Sequence, residues 1–404
     1  MIIPRKEELE INRIKKWICI YGRRKTGKTF LVRHSVKYDE YFFVKRDKAI
    51  IRESTNTDVS YETMLELLTH LLNENKTVVV DEFHRLGNDF LDRLHFMKKN
   101  GKLIVISSTF HLAKKLVSEN SPIFGVFAEF PLGLIKLGDI IAGLPQTDKK
   151  QLVELSIFMS EPLVIDYYHA RMTSKELCRQ LLSTMKILVS ALVGETFNEE
   201  ERTLTNVYSG ILRAVASGKV VSTEISSYLF SKKLIPKDNP GGIQPYLHNL
   251  MEIGLIRRVK VINKNRYIYE HISPLIELYY YGDEKYNLGE ITVDEAHITG
   301  LFESKFPKIV ERCLRTFLAQ KFGLLEGVVI EGDYEIDAYL MRMKKCEIAV
   351  EIKWKDKIGK DDIARAEEVL SKVTAKRRLL FVPDKKKAKF KSSKIEIVDI
   401  GDFV

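Results

Sequence analysis

The chain is 404 residues long, 45% hydrophobic and 30% charged, with a formal net charge of +10. That length allows two to four domains, and the composition is that of an ordinary ion-rich globular protein. No apolar run reaches the roughly 20 residues of a membrane span, the opening Met-Ile-Ile-Pro-Arg-Lys-Glu-Glu is not a signal peptide, and Cys19, Cys178, Cys313 and Cys346 lack metal-ligand spacing, so a cytoplasmic protein with no membrane partner is expected.

A short helix-like lead-in covers residues 5–15. The apolar run Trp17-Ile-Cys-Ile-Tyr21 then predicts a buried strand, and Phe30-Leu-Val opens a helix. Between them stand Gly22, Arg23, Arg24, Lys25, Thr26, Gly27, Lys28 and Thr29, the G-x-x-x-x-G-K-T spacing of a P-loop. Gly22 and Gly27 let the backbone turn its N–H groups onto phosphate oxygens. The following helix, with Phe30 at its start, aims its positive end there. Lys28 reaches the outer phosphates and Thr29 holds Mg²⁺ through its hydroxyl, so ATP and Mg²⁺ are the expected cofactors.

Glu40-Tyr-Phe-Phe-Val44 predicts a second strand, and Met64, Leu65, Leu67, Leu68, Leu71 and Leu72 recur with helical period. Thr77-Val-Val-Val-Asp81-Glu82 has the Walker B pattern. Asp81 belongs to the Mg²⁺ shell, and Glu82 orients or deprotonates the attacking water. A further helix covers 90–99, and a strand covers 101–108. Ser108 at its carboxyl end is the expected sensor of the terminal phosphate, with Ser107 and Thr109 as neighbours that could serve, or cap a helix, instead. Strands alternating with helices predict a parallel sheet with ligand at its carboxyl edge.

Residues 136–204 read as a helical lid, broken at Glu161-Pro162. Residues 205–285 read as a winged helix: helices from Ile211, Val221 and Ile243, then a hairpin across Asn263-Lys-Asn265. The third helix has few basic residues, so packing is as open a reading for it as DNA contact.

The last region, 295–404, begins with a helix over 307–321. Its Glu311 borders the buried face. Three strands follow, at 327–332, 335–341 and 347–354. Asp337 and, fourteen residues on, Glu351 with Lys353 have the D…E-x-K spacing of the PD-(D/E)xK nucleases. Two carboxylates on adjacent strands can hold a divalent metal, and Lys353 can activate water and stabilise phosphate charge. Glu311 offers a third carboxylate. Residues 341–404 carry 18 Lys and Arg against 11 Asp and Glu, with the densest run at 385–391. That run is a nucleic-acid footprint or a solvated loop.

On these motifs the chain resembles the archaeal P-loop ATPases grouped with the STAND and AAA+-related NTPases. Within them it is similar to the branch with a winged helix and a restriction-endonuclease-like C-terminal domain. The carriers are Gly22–Thr29, Val80-Asp-Glu-Phe83, the passage Arg266–Tyr280, Glu335-Ile-Asp337 and Val350-Glu-Ile-Lys-Trp354. The resemblance implies ATP at Lys28 and Thr29, metal and hydrolysis at Asp81 and Glu82, and a nuclease-like metal centre at Asp337, Glu351 and Lys353. Two departures imply slow, switch-like turnover. Gly125 is followed by Val126 and Phe127 where relatives have arginine, and Ser160-Glu-Pro162 replaces a Gly-x-Pro turn.

The expected fold is thus multidomain α/β: a P-loop parallel-sheet ATPase core (1–135), the lid, the winged helix and a small α/β nuclease-like domain. The expected function is a slow ATPase that couples nucleotide state to a DNA-associated C-terminal domain. The alternatives are a non-nucleolytic switch or scaffold binding DNA or a protein partner, and a motor acting on protein. The sequence names no oligomeric state.

Overall fold

The computed structural model describes all residues except 99, 110–124, 201, 289, 291–293 and 389–390. Part of the 385–391 basic run therefore lies outside the described residues. At the centre of the N-terminal half is β1 (Trp17–Tyr21), buried at every position. Its side chains alternate between two cores. Ile18 and Ile20 share one with Ile11 of α1 (Glu7–Arg13) and with Leu31 and Val32 of α2 (Lys28–Ser35). Trp17, Cys19 and Tyr21 share the other with Leu68 of α3 (Tyr61–Asn73) and Phe90 of α4 (Asn88–Phe96). A strand covered on both faces reads as a continuous apolar run, which is why this one was legible.

The other strands of this sheet are β2 (Glu40–Val44), β3 (Ile50–Arg52), β4 (Thr57–Val59), β5 (Thr77–Asp81), β6 (Lys102–Ser107) and β7 (Phe127–Pro131). Their order is β4-β3-β2-β5-β6-β1-β7. From β2 to β7 the pairing is parallel, and β3 and β4 extend it antiparallel. Strand β6 lies between β1 and β5. In this register Tyr21 pairs with Ser107 and Asp81 with Ile106, so the ends of all three strands converge on one edge.

Helices Leu137–Gly143, Lys149–Met159 and Ser174–Glu199 follow. Thr173 and Glu176 close a capping box at the start of the long one. Helices Asn206–Ala216, Ser222–Ser231 and Gln244–Glu252 precede the antiparallel hairpin of β8 (Ile256–Val261) and β9 (Arg266–His271). The helix-and-hairpin order read from the sequence is present, beginning at Asn206 rather than Ile211. No single helix among the described residues is long and apolar enough to cross a membrane.

Helix Phe306–Phe322, β10 (Leu325–Ile330), β11 (Glu335–Arg342), β12 (Lys345–Ile352), helix Lys360–Ser371, β13 (Arg377–Phe381) and β14 (Glu396–Val398) complete the chain. The hairpin is not separate from them. Strand β8 pairs in parallel with β10 through Lys260–Gly327 and Val261–Val328. One sheet therefore runs β14-β13-β12-β11-β10-β8-β9. A single apolar core also joins Phe158 of Lys149–Met159, Leu250 of Gln244–Glu252, Leu314 of Phe306–Phe322 and Val350 of β12.

Candidate functional site

Two glycines shape the loop after β1. A Cβ on Gly22 would lie 2.2 Å from the Leu132 carbonyl oxygen, so only glycine admits that approach. Gly27 has φ +86°, in the left-handed region. From the N-terminal segment, the Arg5 guanidinium donates to the carbonyls of Thr26 (3.0 Å) and Gly133 (3.1 Å), tying the loop to the chain beyond β7.

Lys28 Nζ donates to the carbonyls of Gly22 (2.8 Å) and Arg23 (2.9 Å), inside the loop it is expected to leave for phosphate. Thr29 Oγ1 donates to Asp81 Oδ2 at 2.7 Å, and the Tyr41 hydroxyl donates to the same oxygen at 2.6 Å. Burial, and then the Asp81 charge, hold the Tyr41 phenol well above its usual range, so it remains a donor. Glu82 follows with φ +56°. Its Oε2 accepts from Ser108 Oγ at 2.8 Å and lies 3.5 Å from an Arg85 guanidinium nitrogen.

A cavity of ≈690 Å³ opens on this edge. Arg24, Lys25, Gly27, Lys28, Thr29 and Phe30 line it from the loop and α2, and Glu82 and Ser108 line it from β5 and β6. Asp81 sits beneath, joined through Thr29. Of the expected nucleotide residues, Gly22 and Thr26 shape the loop from behind, the Thr26 hydroxyl donating to the Arg23 carbonyl at 2.9 Å. Arg23 turns away, its guanidinium donating to both Glu161 oxygens at 2.7 and 2.8 Å. Arg24 and Lys25 lie 3.4 and 3.3 Å from Glu195 of helix Ser174–Glu199. Lys45, Arg46, Arg85, Pro162 and Leu163 also line the cavity. No sequence motif marks them; only the fold brings the β2–β3 turn and the Pro162-Leu163 segment to the loop. The residues fit ATP with Mg²⁺: glycine-bounded N–H groups, one lysine, and a hydroxyl beside a buried carboxylate.

The expected metal carboxylates lie together in a second cleft of ≈1000 Å³, which Glu311, Asp337, Glu351 and Lys353 line beside Lys308 and Arg365. Asp337 lies one residue beyond the Ala338–Val350 pair of β11 and β12, and its Oδ2 accepts the Ile352 N–H at 2.8 Å. Lys353 Nζ pairs with Glu351 Oε1, and the other oxygen of this buried Glu351 has no partner among the described residues. Burial, with Glu311 and Glu351 nearby, pushes the Asp337 carboxyl well up. Burial also pushes Glu311 up to about 7, against the pull of Lys308 and Lys353. Even so, among the described residues no three His, Cys, Asp or Glu side chains form a set able to hold a metal ion.

Arg315 supports this cleft from behind. It donates to the Asp337 carbonyl at 3.2 Å and clamps Glu270 and Glu326, which Arg257 also pairs. In the third helix of the hairpin region, Asn249 is committed to the Tyr208 hydroxyl at 2.7 Å.

One helix lies between residues that adjoin the two sites. Lys149–Met159 leads directly into Glu161, the partner of Arg23. In its interior, Glu154 Oε1 accepts the indole N–H of Trp354 at 3.0 Å, one residue past Lys353. Lys149 and Lys150 pair with Asp399 (2.7 Å) and Asp356 (2.6 Å).

Over 417 aligned residues the chain is 26% identical to an uncharacterized protein of Methanocaldococcus jannaschii, covering 89% of each. Among solved structures it is similar to the Aeropyrum pernix ORC2 protein in ADPNP–ADP complexes (TM-score 0.41, 14% identity, 79% of this chain and 97% of that one). It is also similar to the A. pernix ORC1 protein in complex with DNA (TM-score 0.32, 15% identity, 75% and 94%). Likeness at these scores carries no functional weight. Residues 14–132 match the AAA domain family. That segment coincides with the β1–β7 sheet and its P-loop.

Proposed function

We propose that the chain is a slow ATPase switch whose nucleotide state is transmitted to the acidic C-terminal cleft. The observation that carries this reading is the segment from Lys149 to Glu161: its helix Lys149–Met159 holds the residue after Lys353 through Glu154–Trp354, and Glu161, just past the helix end, holds the P-loop through Arg23. ATP bound at the loop supplies the phosphoanhydride to be cleaved. Lys28 would leave the Gly22 and Arg23 carbonyls to neutralise the outer phosphates, Thr29 and Asp81 would hold Mg²⁺, and Glu82 would orient the attacking water. Ser108 fixes the Glu82 carboxylate. The Ser108 and Arg85 contacts to Glu82, and the Val126-Phe127 pair where the resemblance expects arginine, support slow turnover.

The test uses Trp354 as reporter. Trp17 and Trp354 are the two tryptophans, so Trp17→Phe isolates the second. ATP should shift the emission of that variant and leave Trp17→Phe/Lys28→Ala unchanged. ATP binding without any shift would remove the coupling, and no binding would remove the ATPase reading.

A second reading is favoured by the buried, half-partnered Glu351: metal-dependent cleavage of a phosphodiester, with DNA as the substrate. Asp337 and Glu351 would hold the divalent metal, and Lys353 would stabilise charge on the phosphate. The competing possibility is a cleft that only binds DNA or a protein partner. Cleavage of DNA with Mg²⁺ or Mn²⁺, with and without ATP, decides it: loss in Asp337→Ala and Glu351→Ala supports the nuclease, and no cleavage by the wild type supports binding only.

A further inference from the structure

The cavity at the P-loop has more cations around it than the P-loop motif supplies, and all but one of those outside the loop lysine are already engaged. Arg24 and Lys25 face Glu195. Lys45 pairs with Asp58 at 2.8 Å. Arg85 donates to the Val44 carbonyl at 2.7 Å and lies beside Glu82. Arg46 lines the same cavity, is exposed, and has no ion pair or hydrogen bond among the described residues. It sits in the tight turn joining β2 to β3, closed by Lys45 N to Ala49 O (2.8 Å) and Lys48 N to Lys45 O (3.0 Å). The adjoining Phe43 also lines the cavity, so the turn forms part of the wall near Lys28, Thr29 and Glu82.

We infer that Arg46 is the cation that meets the terminal phosphate of ATP in this chain, supplied by the β2–β3 turn of the same domain. The inference rests on the ATPase reading above. A guanidinium suits this role because it stays charged and presents several donors to phosphate oxygens. In the step it serves, a water oxygen bonds to the terminal phosphorus as the bond to the bridging oxygen breaks. The bridging oxygen leaves on ADP with the electron pair, the water's proton passes to Glu82, and Arg46 compensates charge without exchanging a proton.

The experiment measures steady-state ATP hydrolysis and the separate affinities for ATP and ADP in wild type, Arg46→Ala, Arg46→Gln and Arg46→Lys. Both neutral variants should lose about 10²-fold or more in kcat and lose preference for ATP over ADP, with ADP affinity unchanged. Arg46→Lys should recover part of both. Wild-type turnover together with an unchanged ATP-to-ADP affinity ratio in the neutral variants would overturn the inference. If the wild type binds nucleotide without turning it over, the affinity ratio alone decides. A wild type that binds no nucleotide, and is indistinguishable from Lys28→Ala, would instead overturn the ATPase reading beneath it.

Discussion

Arg23, within the P-loop, donates two hydrogen bonds to Glu161, just past helix Lys149–Met159, at 2.7 and 2.8 Å, with both side chains buried. Removing one partner strands the other as a buried charge, which costs about 3–5 kcal/mol. Glu161→Ala should therefore lower the urea midpoint by an equivalent amount. Arg23→Met/Glu161→Leu, which removes both charges, should lose much less than the two single variants together. Additive losses would show that the pair does not act as a unit.

Binding and chemistry should separate at the two ends of the nucleotide cavity. Lys28→Ala is expected to abolish ATP binding, measured with a fluorescent ATP analogue. Glu82→Gln is expected to bind normally and to lose about 10²–10⁴-fold in phosphate release. Retained turnover in Glu82→Gln would transfer the water-orienting role to another group, with Ser108 the first candidate.

The acidic cleft should cost the fold stability. Burial and then the neighbouring Glu311 and Glu351 charges raise the folded-state pKa of Asp337 above its ordinary 3.8. A raised carboxyl opposes folding once the pH exceeds the unfolded value, so the cost is greatest on the alkaline side. Asp337→Asn keeps an oxygen for the Ile352 N–H and removes the charge. Its melting temperature at pH 8 should rise, corresponding to about 0.5–2 kcal/mol, while any stabilisation by Mn²⁺ disappears. A lower melting temperature would count against a strained carboxylate.

Glu270 has the opposite sign. Burial raises its pKa, but Arg315, Arg257 and Arg312 outweigh burial and hold it down to about 2, against an ordinary 4.5. Its contribution is fully present above 4.5 and is lost as pH falls toward 2. The urea midpoint of the wild type should drop between pH 4.5 and 2.5. The Glu270→Gln profile should be flatter over the same window.

The apolar runs at 17–21 and 77–81 could be read as strands because both faces of those strands are covered, and Asp337, Glu351 and Lys353 could be grouped because strand parity is local. The three-residue β3 and β4 were missed: they are too short for periodicity to register. Strand β7 was missed because its exposed Glu129 and Pro131 interrupt the pattern. Glu161 was read only as a helix break. Its partner Arg23 is 138 positions away, and no local pattern announces such a pair. The place of Arg23 in the motif assigns it to nucleotide, and the fold points its side chain at Glu161. The C-terminal meander was legible, but its continuation into the hairpin was not, since the β8–β10 pairing has no signature in either segment.

That pairing bears on how the protein can be divided. A chain ending after helix Pro274–Tyr286 keeps β8 but loses β10, leaving one side of β8 with unsatisfied N–H and C=O groups. Such a fragment should recruit another strand and aggregate rather than behave as an autonomous module. A hinge between the hairpin and the acidic strands would likewise have to unzip that ladder.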